Sequence, residues 1–280
     1  MQATYSQNWK DYELIDAGGG KKLERWGDIV TVRPDRLAYF PPVLTEKEWA
    51  TKTDFEFVEE TTTSGKWVKK TDAPDEWQIK FGKAVLNLKL TNYKHLGIFP
   101  EQQSNWEFIQ NKVKTGDRVL NLFGYTGAAS IIAKINQAEV IHCDSVKNVI
   151  NWGKENMESS EVDGIKWVVE DALKFAQREA KRGNKYNAII MDPPAFGIGP
   201  KKERWKLEDK FQDLLKTAKE LIEDKGFIIV NTYSPKLDGK KIKDIASSVF
   251  NQQKVSVTRL SMKTTTGKRL DFGELTRIQF

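Results

Sequence analysis

The sequence predicts an α/β protein: a parallel sheet covered by helices on both faces, preceded by a small β-rich unit and closed by a hairpin. Three observations carry this expectation. From about residue 105, strand-like and helix-like runs alternate, the pattern of a parallel sheet. Between residues 12 and 90 the runs are short and divided by turn signals. At the end, "VSVTRLSMKTTTGKRLDFGELTRIQF" joins two strand-like runs by a turn with no helix between them, which makes a hairpin.

The elements follow in order. In "YELIDAGGGKKLERWGDIVTVRP" a triple glycine separates two alternating runs, and "WQIKFGKAVLNLKL" reads as a later pair of strands. Five tryptophans (Trp9, Trp26, Trp49, Trp67 and Trp77) lie in this region, where packing is the expected use and base stacking the alternative. "HLGIFPEQQSNW" connects a domain of residues 1–95 to one of residues 96–280. Beyond it the predicted strands are 117–123, 139–144, 165–171, 186–192 and 226–232, each followed by a helix. In the long helix after the fourth, Leu207, Phe211, Leu214, Leu215, Ala218, Leu221 and Ile222 recur at spacings of three and four and form one buried face.

Composition narrows the class. The chain has 280 residues, 39% of them hydrophobic, and no segment approaches the ~20 apolar residues a membrane-spanning helix requires. Cys143 is the only cysteine, so no internal disulfide forms, and the N-terminus lacks a secretion-signal pattern; a cytoplasmic protein is expected. The net charge of +6 is uneven: residues 1–95 carry 15 basic and 15 acidic side chains, residues 96–280 carry 30 and 24.

The first strand of the alternating region ends in "NLFGYTG", and Asp144 ends the second, twenty positions after Gly124. A glycine turn after strand one lets backbone approach a nucleotide, and an acid ending strand two accepts hydrogen bonds from ribose hydroxyls, so the pair describes an adenosine pocket. A dinucleotide would prefer further glycines where Asn121, Phe123 and Tyr125 stand. S-adenosylmethionine has no phosphate and tolerates bulk there. Asp171, ending strand three, either receives the adenine amino group or caps the next helix, and both roles are compatible.

"LNLFGYTGAAS", "EDALKFAQREAKRG" and "IIMDPPAFGIGPKKERWKLE" resemble the class I S-adenosylmethionine-dependent methyltransferases, in particular the bacterial large-subunit ribosomal RNA methyltransferases, over residues 85–280. The resemblance implies a Rossmann-like sheet of order 3-2-1-4-5-7-6 with the last strand antiparallel. It implies S-adenosylmethionine held by Asn121, Phe123, Gly124, Tyr125, Thr126 and Gly127, by Asp144 and Ser145, and by Asp171 and Ala172, with "GIFPEQ" folding over it through Phe99 and Gln102. Residues 1–84 match less distinctively and do not resemble the basic RNA-binding domain of some relatives.

In methyltransferases acting on planar amines, an Asp-Pro-Pro turn after strand four holds the target nitrogen. Here that turn is Asp192, Pro193 and Pro194: a carboxylate and a backbone carbonyl accept the N–H bonds, the prolines add no donor, and Phe196 stacks on the base. The family pattern has its aromatic residue directly after the second proline, whereas Ala195 intervenes here. Carbon-5 methylation of a pyrimidine needs a nucleophile, normally a thiolate, and "VNTYSPK" offers Tyr233 and Ser234 where relatives place a cysteine.

Three basic loops are expected at the carboxyl edge of the sheet. They carry Lys201, Lys202, Arg204 and Lys206, then Lys236, Lys240, Lys241 and Lys243, then Lys263, Lys268 and Arg269. Such convergence suits the phosphates of structured RNA, and the resemblance implies that this RNA is ribosomal. A methyltransferase for a small molecule or protein, a non-catalytic RNA-binding factor and a nicotinamide-dependent oxidoreductase are the competing readings.

Overall fold

The computed structural model describes residues 2–6, 8–61, 64–198 and 204–280. They fall into two compact units, one holding Asn105–Leu260 and Gly273–Phe280 with the first residues of the chain, the other Tyr5–Ser104 with Ser261–Phe272. The division is therefore not a single cut near residue 95. The tip of the terminal hairpin groups with the N-terminal residues because Thr265 N–H donates to the Leu14 carbonyl (2.9 Å) and the Thr266 hydroxyl to Asp16 (2.7 Å).

The main sheet has strands β1 (Arg118–Leu122), β2 (Glu139–Asp144), β3 (Lys166–Val169), β4 (Tyr186–Met191), β5 (Ile222–Thr232), β6 (Lys254–Lys263) and β7 (Arg269–Gln279), all in the larger unit but for the end of β6 and the start of β7, which fall within Ser261–Phe272. A helix of Gln103–Lys112 leads into β1, and the helices that follow are α1 (Ala128–Ile135), α2 (Lys147–Ser159), α3 (Ala172–Lys181), α4 (Leu207–Leu221) and α5 (Gly239–Val249). The sheet runs β3-β2-β1-β4-β5-β7-β6, the expected order, and a short strand Ala3–Ser6 lies beyond β6. Pairings among β1 to β5 are parallel, while β7 pairs antiparallel with β5. Four residues, "ATYS", are too few to carry a period, which is why the extra strand was not foreseen.

Central strands of a parallel sheet are covered on both faces and read as continuous apolar runs. Ile189 and Met191 of β4 are fully buried, as are Leu120, Ile228 and Val230 beside them. The face of α4 packs on this layer: Phe211, Leu214, Leu215 and Leu221 have no exposed surface. Ile222, expected on that face, instead begins β5 with an extended backbone (ψ 143°).

The smaller unit has a five-stranded sheet of Tyr12–Gly18, Lys21–Trp26, Ile29–Pro34, Phe55–Glu59 and Gly65–Lys69, and a separate hairpin of Glu76–Phe81 and Ala84–Lys89. Its one parallel pairing, Ile29–Pro34 with Phe55–Glu59, encloses the helix Glu46–Lys52, which Thr45 and Glu48 start with a capping box. Tryptophans here pack as expected: Trp26 is fully buried, and Trp9 meets Tyr12 and Phe81 at 5.6 Å between ring centroids. Beneath the sheet Glu24 accepts two 2.7 Å bonds from Arg33 and one of 2.8 Å from the Tyr12 hydroxyl. Burial opposes its charge, yet Arg33 and Lys22 hold its carboxyl below the usual range. Among the described residues no helix is long and apolar enough to cross a membrane.

Candidate functional site

Register places the chemistry. Val168, Cys143, Leu122, Met191 and Val230 are level with one another across β3, β2, β1, β4 and β5. The next residues are Val169 and Asp144, which pair in register, Phe123 and Asp192 just past the ends of β1 and β4, and Asn231 of β5, one row at the carboxyl edge of the sheet. Asp144 and Asp192 thus stand on either side of β1, two strand spacings or about 10 Å apart by backbone. An open α/β sheet binds its ligands at this edge.

The turn after β1 is built from unusual backbone. Phe123 (φ 57°), Tyr125 (φ 51°) and Gly127 (φ 84°) alternate in the left-handed region, which side chains normally avoid and which concentrates at functional sites. The carboxylate of Asp144 fixes this turn, accepting Tyr125 N–H at 3.0 Å, and accepts Val146 N–H at 2.9 Å. Burial raises the Asp144 carboxyl above its ordinary value, against the pull of these N–H groups. The carboxylate's oxygens still have acceptor sites to offer.

The glycines also meet a packing constraint. A Cβ on Gly124 would lie 2.3 Å from His142 Cε1, and one on Gly127 would lie 2.9 Å from the Trp167 ring. They are small so that His142 and Trp167 can pack beneath the turn. Asn121, expected among the cofactor contacts, directs its amide into the core, donating to Ser130 Oγ at 2.9 Å, which in turn lies 2.9 Å from His142 Nδ1. Its side chain supports the turn from below. Burial pushes the His142 imidazole down to about 3, so it is neutral at physiological pH.

Thr126 is buried, its carbonyl accepting from Asn156, and Ser145 is exposed. Asp171 caps α3, accepting Lys174 N–H at 2.9 Å, and Ala172 is buried in the first turn behind it. Phe99 and Gln102 belong to the smaller unit, Phe99 directly before the turn Pro100–Gln102 and Gln102 at its end.

Asp192 leaves β4 half-buried, its N–H donating to the Leu122 carbonyl at 3.3 Å. Pro193 is buried, whereas Pro194 and Phe196 are exposed, Phe196 by 55%. The loop continues as a ribbon of Phe196–Ile198 against Arg204–Lys206. Trp205 holds it in place: its indole N–H donates to the Pro194 carbonyl at 2.7 Å, and its ring meets Phe123 at 5.1 Å. Sequence reading passed over Trp205, although an indole inside "KKERWKLE" is a signal in itself. It also passed over Val146, two residues after Asp144, and Val169, its register partner, both 50% exposed.

Of the basic positions, Lys201 and Lys202 lie outside the described residues, and Arg204 is exposed at the start of the second ribbon strand. Lys240 and Lys241 open α5, where the Asp238 side chain accepts Lys241 N–H. Lys268 and Arg269 belong to the smaller unit, Arg269 paired with Asp271 at 2.5 Å. Cys143 is buried, and burial pushes its thiol up to about 12.

A carboxylate with acceptor capacity and exposed apolar side chains beside it fit a phosphate-free adenosine cofactor. This strand order with this edge defines a Rossmann-like class I methyltransferase. The family described as S-adenosylmethionine-dependent methyltransferase matches residues 54–247, and the chain belongs to it; S-adenosylmethionine is its cofactor. A crystal structure of an S-adenosylmethionine-dependent methyltransferase from Agrobacterium tumefaciens is similar at 32% identity and a TM-score of 0.93, over 99% of this chain and 93% of that one. The ribosomal RNA large subunit methyltransferase K/L of Shewanella frigidimarina is 30% identical over 181 residues, 63% of this chain and 24% of that protein. A putative ribosomal RNA large subunit methyltransferase of Bacillus subtilis, YwbD, is 31% identical over 161 residues, 56% of this chain and 40% of its own length. The chain thus spans well under half the length of these curated relatives.

Proposed function

We propose that the chain transfers the methyl group of S-adenosylmethionine to a base nitrogen of RNA, with ribosomal RNA as the substrate, in the cytoplasm. The observation that carries this reading is the shared row: Asp144, suited to ribose hydroxyls, and Asp192, suited to a substrate amine, flank one strand at one edge. The turn of Phe123, Gly124, Tyr125, Thr126 and Gly127 holds the cofactor, with Asp144, Ser145, Asp171 and Ala172 on its adenosine side. Bound S-adenosylmethionine supplies an electrophilic methyl carbon on a positively charged sulfur.

Asp192 accepts an N–H of the target amine and turns the nitrogen lone pair toward the methyl. Because the Pro194 carbonyl already receives the Trp205 indole, the Pro193 carbonyl is the better placed second acceptor. Neither proline brings a competing N–H. Phe196, more than half exposed at the base of the ribbon, stacks on the base. Positioning of this kind is what methyl transfer asks of a protein, since no strong base is needed. Carbon-5 chemistry is disfavoured by a lone thiol that is buried and pushed up to about 12. The relatives' names supply ribosomal RNA as the substrate.

The test is nucleoside mass spectrometry of total RNA from wild-type cells and cells lacking the gene. One modified nucleoside should vanish, returning with the wild-type chain but not with Asp192→Ala. An unchanged nucleoside profile would defeat the assignment.

A further inference from the structure

The smaller unit contains a cleft of about 510 Å³, within the size range of small-ligand sites, lined by Trp9, Tyr12 and Glu13 on one side and Lys263 to Thr265 on the other. Its polar floor is internally satisfied. Glu13 accepts from the Thr265 hydroxyl and from Arg25 Nε, and Arg25 spends its remaining nitrogens on the carbonyls of Gly27 and Lys10. Two ammonium groups at the cleft, Lys10 and Lys263, have no carboxylate partner among the described residues.

From Lys263 the positive charge continues in alternation with aromatic rings. Lys263 lies 4.7 Å and Arg269 5.7 Å from the centre of the Tyr5 ring. Lys268 lies 5.6 Å from the centre of Phe40, whose neighbour Tyr39 is 87% exposed. Tyr39 and Phe40 meet at 6.0 Å, nearly edge to face. Cations that follow phosphates beside rings that stack bases are the means by which proteins hold single-stranded nucleic acid without reading its sequence. Residues 1–95 carry no net charge, and three of these cations, Lys263, Lys268 and Arg269, come instead from the terminal hairpin.

We propose that the cleft with its cationic rim at Lys10 and Lys263, extended by Tyr5, Phe40 and Tyr39, is a docking site for a single-stranded segment of the RNA substrate. This rests on the RNA reading above. It assigns that binding to the smaller unit.

The probe is a short fluorescein-labelled single-stranded RNA of mixed sequence, titrated by anisotropy against the full chain over a series of salt concentrations. Lys10→Ala/Lys263→Ala should weaken binding and reduce the slope of log affinity against log salt by about 1.4, two phosphate contacts at about 0.7 each. Tyr39→Ala should weaken it at least about fivefold, the lower limit for one lost stack. Calorimetric S-adenosylmethionine binding and the thermal midpoint report that both variants are folded. Wild-type RNA affinity in both folded variants overturns the site while leaving RNA methylation standing. A wild-type chain that methylates ribosomal RNA but does not bind the probe also overturns it. Tighter binding of polyglutamate than of RNA overturns it in favour of an acidic protein segment. If the nucleoside experiment finds no methylated RNA, the functional reading fails, and RNA binding lost in the variants still supports the site.

Discussion

At the scale of the residue, the glycine turn separates what a side chain does from why it is small. Gly124 has ordinary backbone, so its constraint is steric: a Cβ there would meet His142 Cε1 at 2.3 Å and Nδ1 at 2.7 Å. The imidazole is buried and tied to Ser130, so it yields little. Gly124→Ala should cost about 1–3 kcal/mol, the usual range for overpacking, read as a lower urea midpoint. Asp144 makes a different prediction. Its carboxylate accepts hydrogen bonds and burial has raised its pKa, so protonation begins at higher pH than for an exposed aspartate. Calorimetric affinity for S-adenosylmethionine should fall as pH drops through that raised pKa, whereas Asp144→Asn should bind more weakly with no such fall. A wild-type affinity that stays flat into acid would remove Asp144 from the ribose.

At the scale of the element, α3 shows how one helix joins the site to the base of the sheet. Its N-terminus is capped by Asp171, and its last turn carries Glu179, which accepts from the Tyr186 hydroxyl (2.5 Å), Arg182 (2.8 Å) and Asn184 (2.7 Å). Asp171→Ala should lower stability by about 1 kcal/mol for the lost cap. If S-adenosylmethionine affinity also falls once the folded fraction is allowed for, Asp171 contacts the cofactor; unchanged affinity makes it a cap alone. Burial works against the charge of Glu179, but the Tyr186, Arg182 and Asn184 donors keep its carboxyl below the ordinary value. A depressed carboxyl contributes stability above its unfolded pKa of about 4.3, and that contribution disappears as pH falls through the folded value. The stability gap between wild type and Glu179→Gln should therefore be full near neutrality and close in acid, as followed by urea unfolding across pH.

At the scale of the whole molecule, charge and topology have to be argued for each unit in turn. RNA turnover by the full chain should fall steeply as salt rises, since phosphate contacts release counterions, while S-adenosylmethionine binding, which involves no phosphate, should change little. Turnover insensitive to salt would favour a small-molecule or protein acceptor. Much of the larger unit was legible because its signals are local. Apolar runs such as "AIIM" mark buried strands, the three-and-four spacing of Phe211, Leu214, Leu215 and Ala218 marks a helix face, and Asp144 and Asp192 stand directly after such runs. The sheet order and the antiparallel last strand came from family resemblance, and the observed sheet has them. Other features depended on residues far apart in the chain meeting in space, which no periodicity encodes. The strand Ala3–Ser6 exists only because β6, about 250 residues later, offers it a partner. Trp205 braces Phe123 across some 80 positions, and Asn121 turns inward because Ser130 and His142 wait there. By itself the sequence determined the main strands and helices, the two acids and the class of chemistry, because each is written in adjacent residues. Only the tertiary structure decided that those acids share one row, that the glycines make room for His142 and Trp167, and that the hairpin tip joins the smaller unit, because each depends on packing between distant segments.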